Sequence, residues 1–224
     1  MEKLVVVEVK ERIGCIILNR PEKRNAMSPG LITSLSEAFE VLAGNSEAKV
    51  IVLKAEGKAF CAGADLEYIR QLQNFTFEEN LEDSRKLLDL FTKIYEYPKP
   101  VIAQIQGHAL AGGCGLVTVC DFAFSTPEAL FGYTEVKIGF IPALVSVFLA
   151  EQIGQAKATE LLLSGELISA QKAAELGLIT QMVADETLDQ FTEEFAQKLI
   201  QSNSGLAMKE TKRLLRSLGK QQRD

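Results

Sequence analysis

The chain has 224 residues, 24 Lys and Arg against 30 Asp and Glu, and so a formal net charge of −6. Its 47% hydrophobic content is that of a globular chain, not a disordered one. The length suits one sizeable core with a small helical appendage, because single cores stop growing only at about 250–300 residues. The acidic balance argues against a general nucleic-acid binder, whose affinity comes from Lys and Arg neutralising phosphates. Four scattered cysteines without a Cys-x-x-Cys pair argue against a disulfide scaffold or zinc site, and the single histidine, His108, rules out a His-rich metal centre. Apolar stretches are too short or too interrupted for a bilayer span of about 20 residues. Met1-Glu2-Lys3 runs straight into Leu4–Val9 with no secretory pattern. A cytoplasmic protein with no metal and no membrane partner is therefore expected.

Leu4–Val9 and Ile13–Asn19 are β-branched runs that read as two paired strands. Ser28-Pro29 reads as a helix start, with Leu31, Leu35, Ala38, Phe39 and Leu42 at helical spacing up to Gly44. Val50–Lys54 is a buried strand, the 57–63 stretch a loop of small residues, and Leu66–Gln73 a short helix. Leu81, Leu88, Phe91 and Tyr95 mark a longer helix that stops at Pro98. Strand Val101–Ile105, a small-residue turn over 107–113 and a helix over Gly113–Val119 follow, then short strands at Asp121–Ser125 and Leu130–Gly132. Pro142 opens an apolar helix to about Ile153. Beyond it the chain reads as helices at 156–164, 170–176, 186–201 and 206–218, with one strand at Ile179–Val183. Alternating strands and helices followed by helices make an α/β fold, with a core over residues 1–160 and a helical C-terminal region over 161–224.

Two segments share a design in which an apolar strand leads into a turn of small residues that opens a helix: Ala62-Gly63-Ala64 and Leu110-Ala111-Gly112-Gly113. Small residues leave backbone N–H groups uncovered, and the first N–H groups of a helix have no partner inside it, so such turns can hold an anion or a developing oxyanion. The plainer alternative is a pair of tight, closely packed connections, since Gly is the default at any tight turn.

The stretch Lys58-Ala59-Phe60-Cys61-Ala62-Gly63-Ala64-Asp65-Leu66, followed by Gln106-Gly107-His108-Ala109-Leu110-Ala111-Gly112-Gly113-Cys114-Gly115 and Cys120-Asp121, resembles the crotonase (enoyl-CoA hydratase/isomerase) superfamily. The resemblance extends over Asn19-Arg20-Pro21-x-x-x-Asn25-Ala26, Phe131-Gly132-x-x-Glu135-x-x-x-Gly139-x-x-Pro142 and the Gly177-Leu178-Ile179 segment. It implies a crotonase-like spiral of β-β-α turns that binds an acyl-CoA thioester, with no cofactor beyond the coenzyme A of the substrate, in a homotrimer or dimer of trimers. Carried over position by position, the Ala64 and Gly112 amides would hold the thioester oxygen, and Glu135 would be the acid/base. Ala62, Gly63, Gly113 and Gly115 would shape the substrate site.

The family's hydratases often carry a second glutamate one helical turn after the oxyanion glycine, and here that position is Gly115. One carboxylate can move a proton between two carbons, whereas hydration benefits from a second polar group that holds water. Hydration of a 2-enoyl-CoA, 3,2-enoyl-CoA isomerisation and a weakly catalytic CoA-binding scaffold therefore all stand as readings. Gly115-Leu116-Val117 and Glu135-Val136-Lys137-Ile138-Gly139-Phe140-Ile141-Pro142-Ala143 are similar to 3-methylglutaconyl-CoA hydratases, which points to a branched or carboxylated acyl group. His108, Tyr68, Tyr133, Lys23 and Arg24 are further candidates for substrate contact. Each has a plain alternative: His108 satisfying a backbone group, Tyr68 on an exposed helix face, Lys23 and Arg24 solvated. Lys209, Lys212, Arg213, Arg216, Lys220 and Arg223 form a basic stripe on the last helix, read as a solvated face or as a contact for CoA phosphates. The resemblance also implies a further closing helix, beside which the chain reads as short.

Overall fold

A computed structural model describes residues 3–220, with side chains described through residue 217. The chain opens with an antiparallel hairpin, β1 (Val5–Lys10) and β2 (Ile13–Leu18). Its two-residue turn, Glu11-Arg12, holds φ at 50° and 68°, the positive values that a turn matched to strand twist requires. Helix α1 (Pro29–Gly44) starts where Ser28 Oγ accepts the Leu31 N–H, and buries Leu31, Leu35, Ala38, Phe39 and Leu42 along one side.

From there each turn of chain adds one strand to each of two sheets. The first turn runs β3 (Val50–Ala55), β4 (Ala59–Cys61), α2 (Leu66–Leu72) and α3 (Phe77–Tyr95); the second runs β5 (Val101–Ile105), β6 (His108–Leu110) and α4 (Gly112–Thr118). The third runs β7 (Phe122–Ser125), β8 (Leu130–Gly132), α5 (Ala143–Ile153) and α6 (Gln155–Ser164). β3, β5 and β7 pair in parallel in the larger sheet, and β4, β6 and β8 in the smaller one. This is the expected β-β-α spiral. The chain closes with β9 (Ile168–Ser169), α7 (Ala170–Leu176), β10 (Gln181–Met182), α8 (Leu188–Ser202) and α9 (Gly205–Lys220). The strand expected over Ile179–Val183 is only the two residues of β10.

β3 reads as an unbroken apolar run because both its faces are covered. Ile51 and Leu53 enter the main core, while Val50 and Val52 pack with Ile102 and Phe124 under Leu188 and Ala196 of α8. Leu161, Ala170, Ala173 and Leu178 share the main core with residues before 160, so packing runs on across that position. Among the described residues no helix is long and apolar enough to cross a membrane.

The basic stripe of α9 is not simply a solvated face. Lys212 Nζ lies 2.7 Å from Asp121 Oδ2 and Arg216 Nη2 3.2 Å from Oδ1, with the Asp121 side chain only 14% and that of Lys212 only 11% exposed. The Arg216 guanidinium also stacks over the Tyr95 ring, 3.8 Å from its centroid. Burial pulls the Lys212 pKa down, and the Asp121 charge opposes that shift. Lys209 and Arg213 are exposed; Arg223 and the side chain of Lys220 lie outside the described residues. Asp121→Ala leaves Lys212 buried without its counter-charge, so urea denaturation is expected to show a loss of about 3–5 kcal/mol. An unchanged midpoint would mean that α9 is not held by this network.

Candidate active site

The first small-residue turn is held from behind by the segment between β2 and α1. The Met27 N–H donates to Gly63 O, the Asp65 N–H to Met27 O and the Ala62 N–H to Arg24 O. Buried Asn25 donates from Nδ2 to Glu56 O and Ala59 O and accepts the Arg20 N–H, which locks that segment. Asp65 caps α2 by accepting the Glu67 N–H, and its other oxygen lies 2.6 Å from Arg20 Nη1. The Arg20 hydrogen bond holds the Asp65 carboxyl below its usual range. Arg20 and Asn25 stand in a motif of the sequence, but their work as the brace of this turn shows only when residues 20 and 65 meet.

The second turn sits directly against the first because the chain omits side chains where they touch. A Cβ on Gly63 would stand 2.8 Å from Ala111 Cβ and 2.9 Å from Leu110 O, and one on Gly113 only 2.2 Å from Cys61 O. Ala111 carries a positive φ of 49°, an uncommon geometry for a residue with a side chain, and its N–H donates to Gly132 O. Gly112 follows that turn as the first residue of α4 and is half-buried. Among the described residues neither the Ala64 nor the Gly112 N–H has a protein acceptor.

Glu135 follows β8 and opens a 3-10 turn, Glu135–Ile138, that ends at Gly139 with φ 77°. Its Oε2 is buried and has no hydrogen-bond partner among the described residues. Ala62, Ala64, Gly112, Glu135 and Tyr68 all line one cavity of about 300 Å³. Two larger clefts of about 600 and 650 Å³ lie against α9 and touch none of these five residues.

Burial raises the Glu135 carboxyl above its ordinary value of 4.5. Between 4.5 and that higher value the folded protein binds more protons than the unfolded chain, so stability falls as pH rises through the window. Glu135→Gln removes the buried charge and is expected to shift the urea midpoint upward at neutral pH. The gain should vanish once pH falls below the ordinary carboxyl value of 4.5. Equal midpoints at neutral pH would show that the carboxylate carries no desolvation cost.

Other candidates fall in different places. Gly115 is buried, and a Cβ there would meet Val145 Cγ1 at 2.5 Å and Phe91 Cζ at 3.0 Å. The space that a second carboxylate would need is thus filled by two apolar side chains. Tyr133 is fully buried, its hydroxyl 2.5 Å from that of Thr118, and it does not reach the cavity. His108 is exposed and spends Nδ1 on the Leu130 N–H at 3.1 Å, a backbone role. Lys23 pairs with Glu67 at 3.0 Å on the surface, and Arg24 is exposed; neither lines the cavity.

Residues 8–223 match the model of the family described as enoyl-CoA hydratase/isomerase. The chain belongs to that family. A hydroxycinnamoyl-CoA hydratase-lyase of Pseudomonas fluorescens is 37% identical over 90% of this chain and 74% of that protein. The 2,3-dehydroadipyl-CoA hydratase of Escherichia coli is 30% identical over 95% and 81%. The crystal structure of an enoyl-CoA hydratase from Shewanella pealeana superposes with a TM-score of 0.93 at 34% identity, covering 97% of this chain and 81% of that one. As an enoyl-CoA hydratase/isomerase family member the protein has the crotonase fold. Within it, the two free amides and Glu135 converge on one cavity, while Gly115, Val145 and Phe91 close the place of a second acid.

Proposed function

We propose that the protein hydrates a 2-enoyl-CoA whose acyl group carries no charge, with Glu135 as its single acid/base. The observation that carries this reading is the buried, unpartnered Glu135 Oε2 in the same cavity as two unpaired backbone amides. The Ala64 and Gly112 N–H groups take the thioester oxygen and hold the negative charge that grows on it, each worth about 2.7–4 kcal/mol in such a setting. Ionised Glu135 takes a proton from water as the water oxygen bonds to the β-carbon and the double-bond electrons move onto the thioester oxygen. The same carboxyl then returns that proton to the α-carbon as the enolate collapses. The net change adds H and OH across the double bond and leaves the enzyme as it began. The hydratase names of the relatives support hydration. Exposed Arg24, on the segment that braces Ala62, is a cation available to the CoA phosphates, and Lys23 beside it could reach them by leaving Glu67.

A carboxylated acyl group of the glutaconyl type suits this cavity less well. Asp83 and Glu135 line it and, among the described residues, no Lys, Arg or His does, so a third carboxylate would enter without a counter-charge from them. One observation favours a second reading: the apolar filling beside Gly115 suits transfer of a proton between two carbons by a lone carboxylate. Loss of enoyl-thioester absorbance with crotonyl-CoA, compared with conversion of a 3-enoyl- to a 2-enoyl-CoA, separates the two. Hydration is expected to be the faster reaction. Isomerisation without measurable hydration would overturn the first reading in favour of the second.

A further inference from the structure

Ile32 of α1, Tyr68 of α2 and Asp83 of α3 each line two spaces at once: the 300 Å³ cavity that holds Glu135 and a neighbouring cleft of about 420 Å³. They form the wall between them. The wall is closed by side chains, since the Tyr68 hydroxyl donates to Asp83 Oδ1 across the gap between α2 and α3. Phe75 braces the Tyr68 ring edge-on, with centroids 6.2 Å apart. On the near side Ile69, Leu72 and Leu87 are apolar; on the far side Glu78, Glu79 and Glu82 outnumber Lys86, which pairs with Glu82, so the cleft is acidic on balance. Burial and the adjacent Asp83 carboxylate raise the Tyr68 pKa, so the phenol remains a donor across the neutral range. Tyr68 stands one helical turn after Ala64, whose amide holds the thioester, and a cavity of 300 Å³ is at the small end for a ligand site.

We propose that the Tyr68–Asp83 hydrogen bond is the end wall of the acyl pocket and limits the substrate to short, uncharged acyl chains. The proposal rests on the enoyl-CoA reading above. Truncating the tyrosine would join the two spaces and give a longer apolar tail room beside Ile32, Phe75 and Pro29.

The test is kcat/KM for crotonyl-, hexenoyl-, octenoyl- and decenoyl-CoA, measured on wild type, Tyr68→Ala, Tyr68→Phe and Asp83→Ala. Calorimetric binding of the matching saturated acyl-CoA thioesters runs beside it, and thermal melts confirm that each variant is folded. Wild type should favour crotonyl- over decenoyl-CoA, and Tyr68→Ala should raise the decenoyl-to-crotonyl ratio by at least about tenfold, the scale of one or two methylene groups finding a pocket. Tyr68→Phe keeps the ring but not the bond and should raise it less; Asp83→Ala opens the wall from the α3 side and keeps the test alive if Tyr68→Ala does not fold. An unchanged ratio in the folded variants, or a wild type that handles decenoyl-CoA as well as crotonyl-CoA, overturns the wall. If wild type hydrates none of the four thioesters, the enoyl-CoA reading fails, and the binding series decides the wall by the same ratio. Loss of chain-length discrimination on truncation would still support it, and equal binding throughout would refute it.

Discussion

Glu135→Gln is expected to lower kcat for 2-enoyl-CoA hydration by about 10³-fold, within the 10²–10⁴-fold range of a general acid/base, with KM changed far less. The amide keeps the volume and polarity of the side chain, so the cavity and its two backbone donors stay in place. Only the ability to accept and return a proton is lost. Burial raises the pKa of the carboxyl, which moves the acid limb of the wild-type kcat/KM profile above that of an ordinary glutamate. Steady-state rates across pH check both points. Hydration at the wild-type rate in Glu135→Gln would remove the residue from the mechanism.

Gly63→Ala should be strongly damaging although it leaves every titratable group untouched. Gly63 sits at φ 89°, and its new Cβ would lie 2.8 Å from Ala111 Cβ and 2.9 Å from Leu110 O. The first turn must move away from the second, and the Ala64 and Gly112 amides lose their common aim. An expected kcat loss of about 10²–10³-fold corresponds to one oxyanion donor misplaced. A stability loss of about 1–3 kcal/mol accompanies it, from the strained backbone and the overpacked contact. Urea melts at a pH away from the Glu135 window measure the second effect, and initial rates the first. Wild-type kcat in a folded Gly63→Ala protein would mean that the two turns need not touch for the chemistry to run.

Much of the spiral is legible in the sequence, because a strand covered on both faces reads as an unbroken apolar run. Val50–Lys54 and Val101–Ile105 announce β3 and β5 to within a residue. β4 and β6 do not show, since each is three residues long and lies inside a glycine-rich stretch that reads as a turn. The start of α3 is hidden in a polar segment and becomes clear only from its capping box, in which Thr76 and Glu79 satisfy each other's backbone N–H groups. β9 escapes notice because two residues carry no period.

In the site, the pattern of small residues brings out the two amide turns and the resemblance to the crotonase superfamily brings out Glu135, and these converge on one cavity. What spacing cannot carry is contact over long separations. Arg20 bracing Asp65, Val145 and Phe91 filling the space at Gly115, and Lys212 and Arg216 closing on Asp121 all join residues far apart in the chain. Tyr133 and His108 neighbour the proposed catalytic positions in sequence, yet one is spent in the core on Thr118 and the other on the Leu130 backbone. Adjacency along the chain says little about which way a side chain leaves it.

On the proposed mechanism Ala64 and Gly112 polarise a thioester carbonyl beside a single working carboxylate. Difference infrared spectra of crotonyl-CoA bound to Glu135→Gln, which holds the substrate with little turnover, read that polarisation at the carbonyl stretch. The expected result is a clear shift to lower wavenumber than for the free thioester in water, lost when Gly63→Ala is added. A bound carbonyl at the same frequency as in water would contradict it.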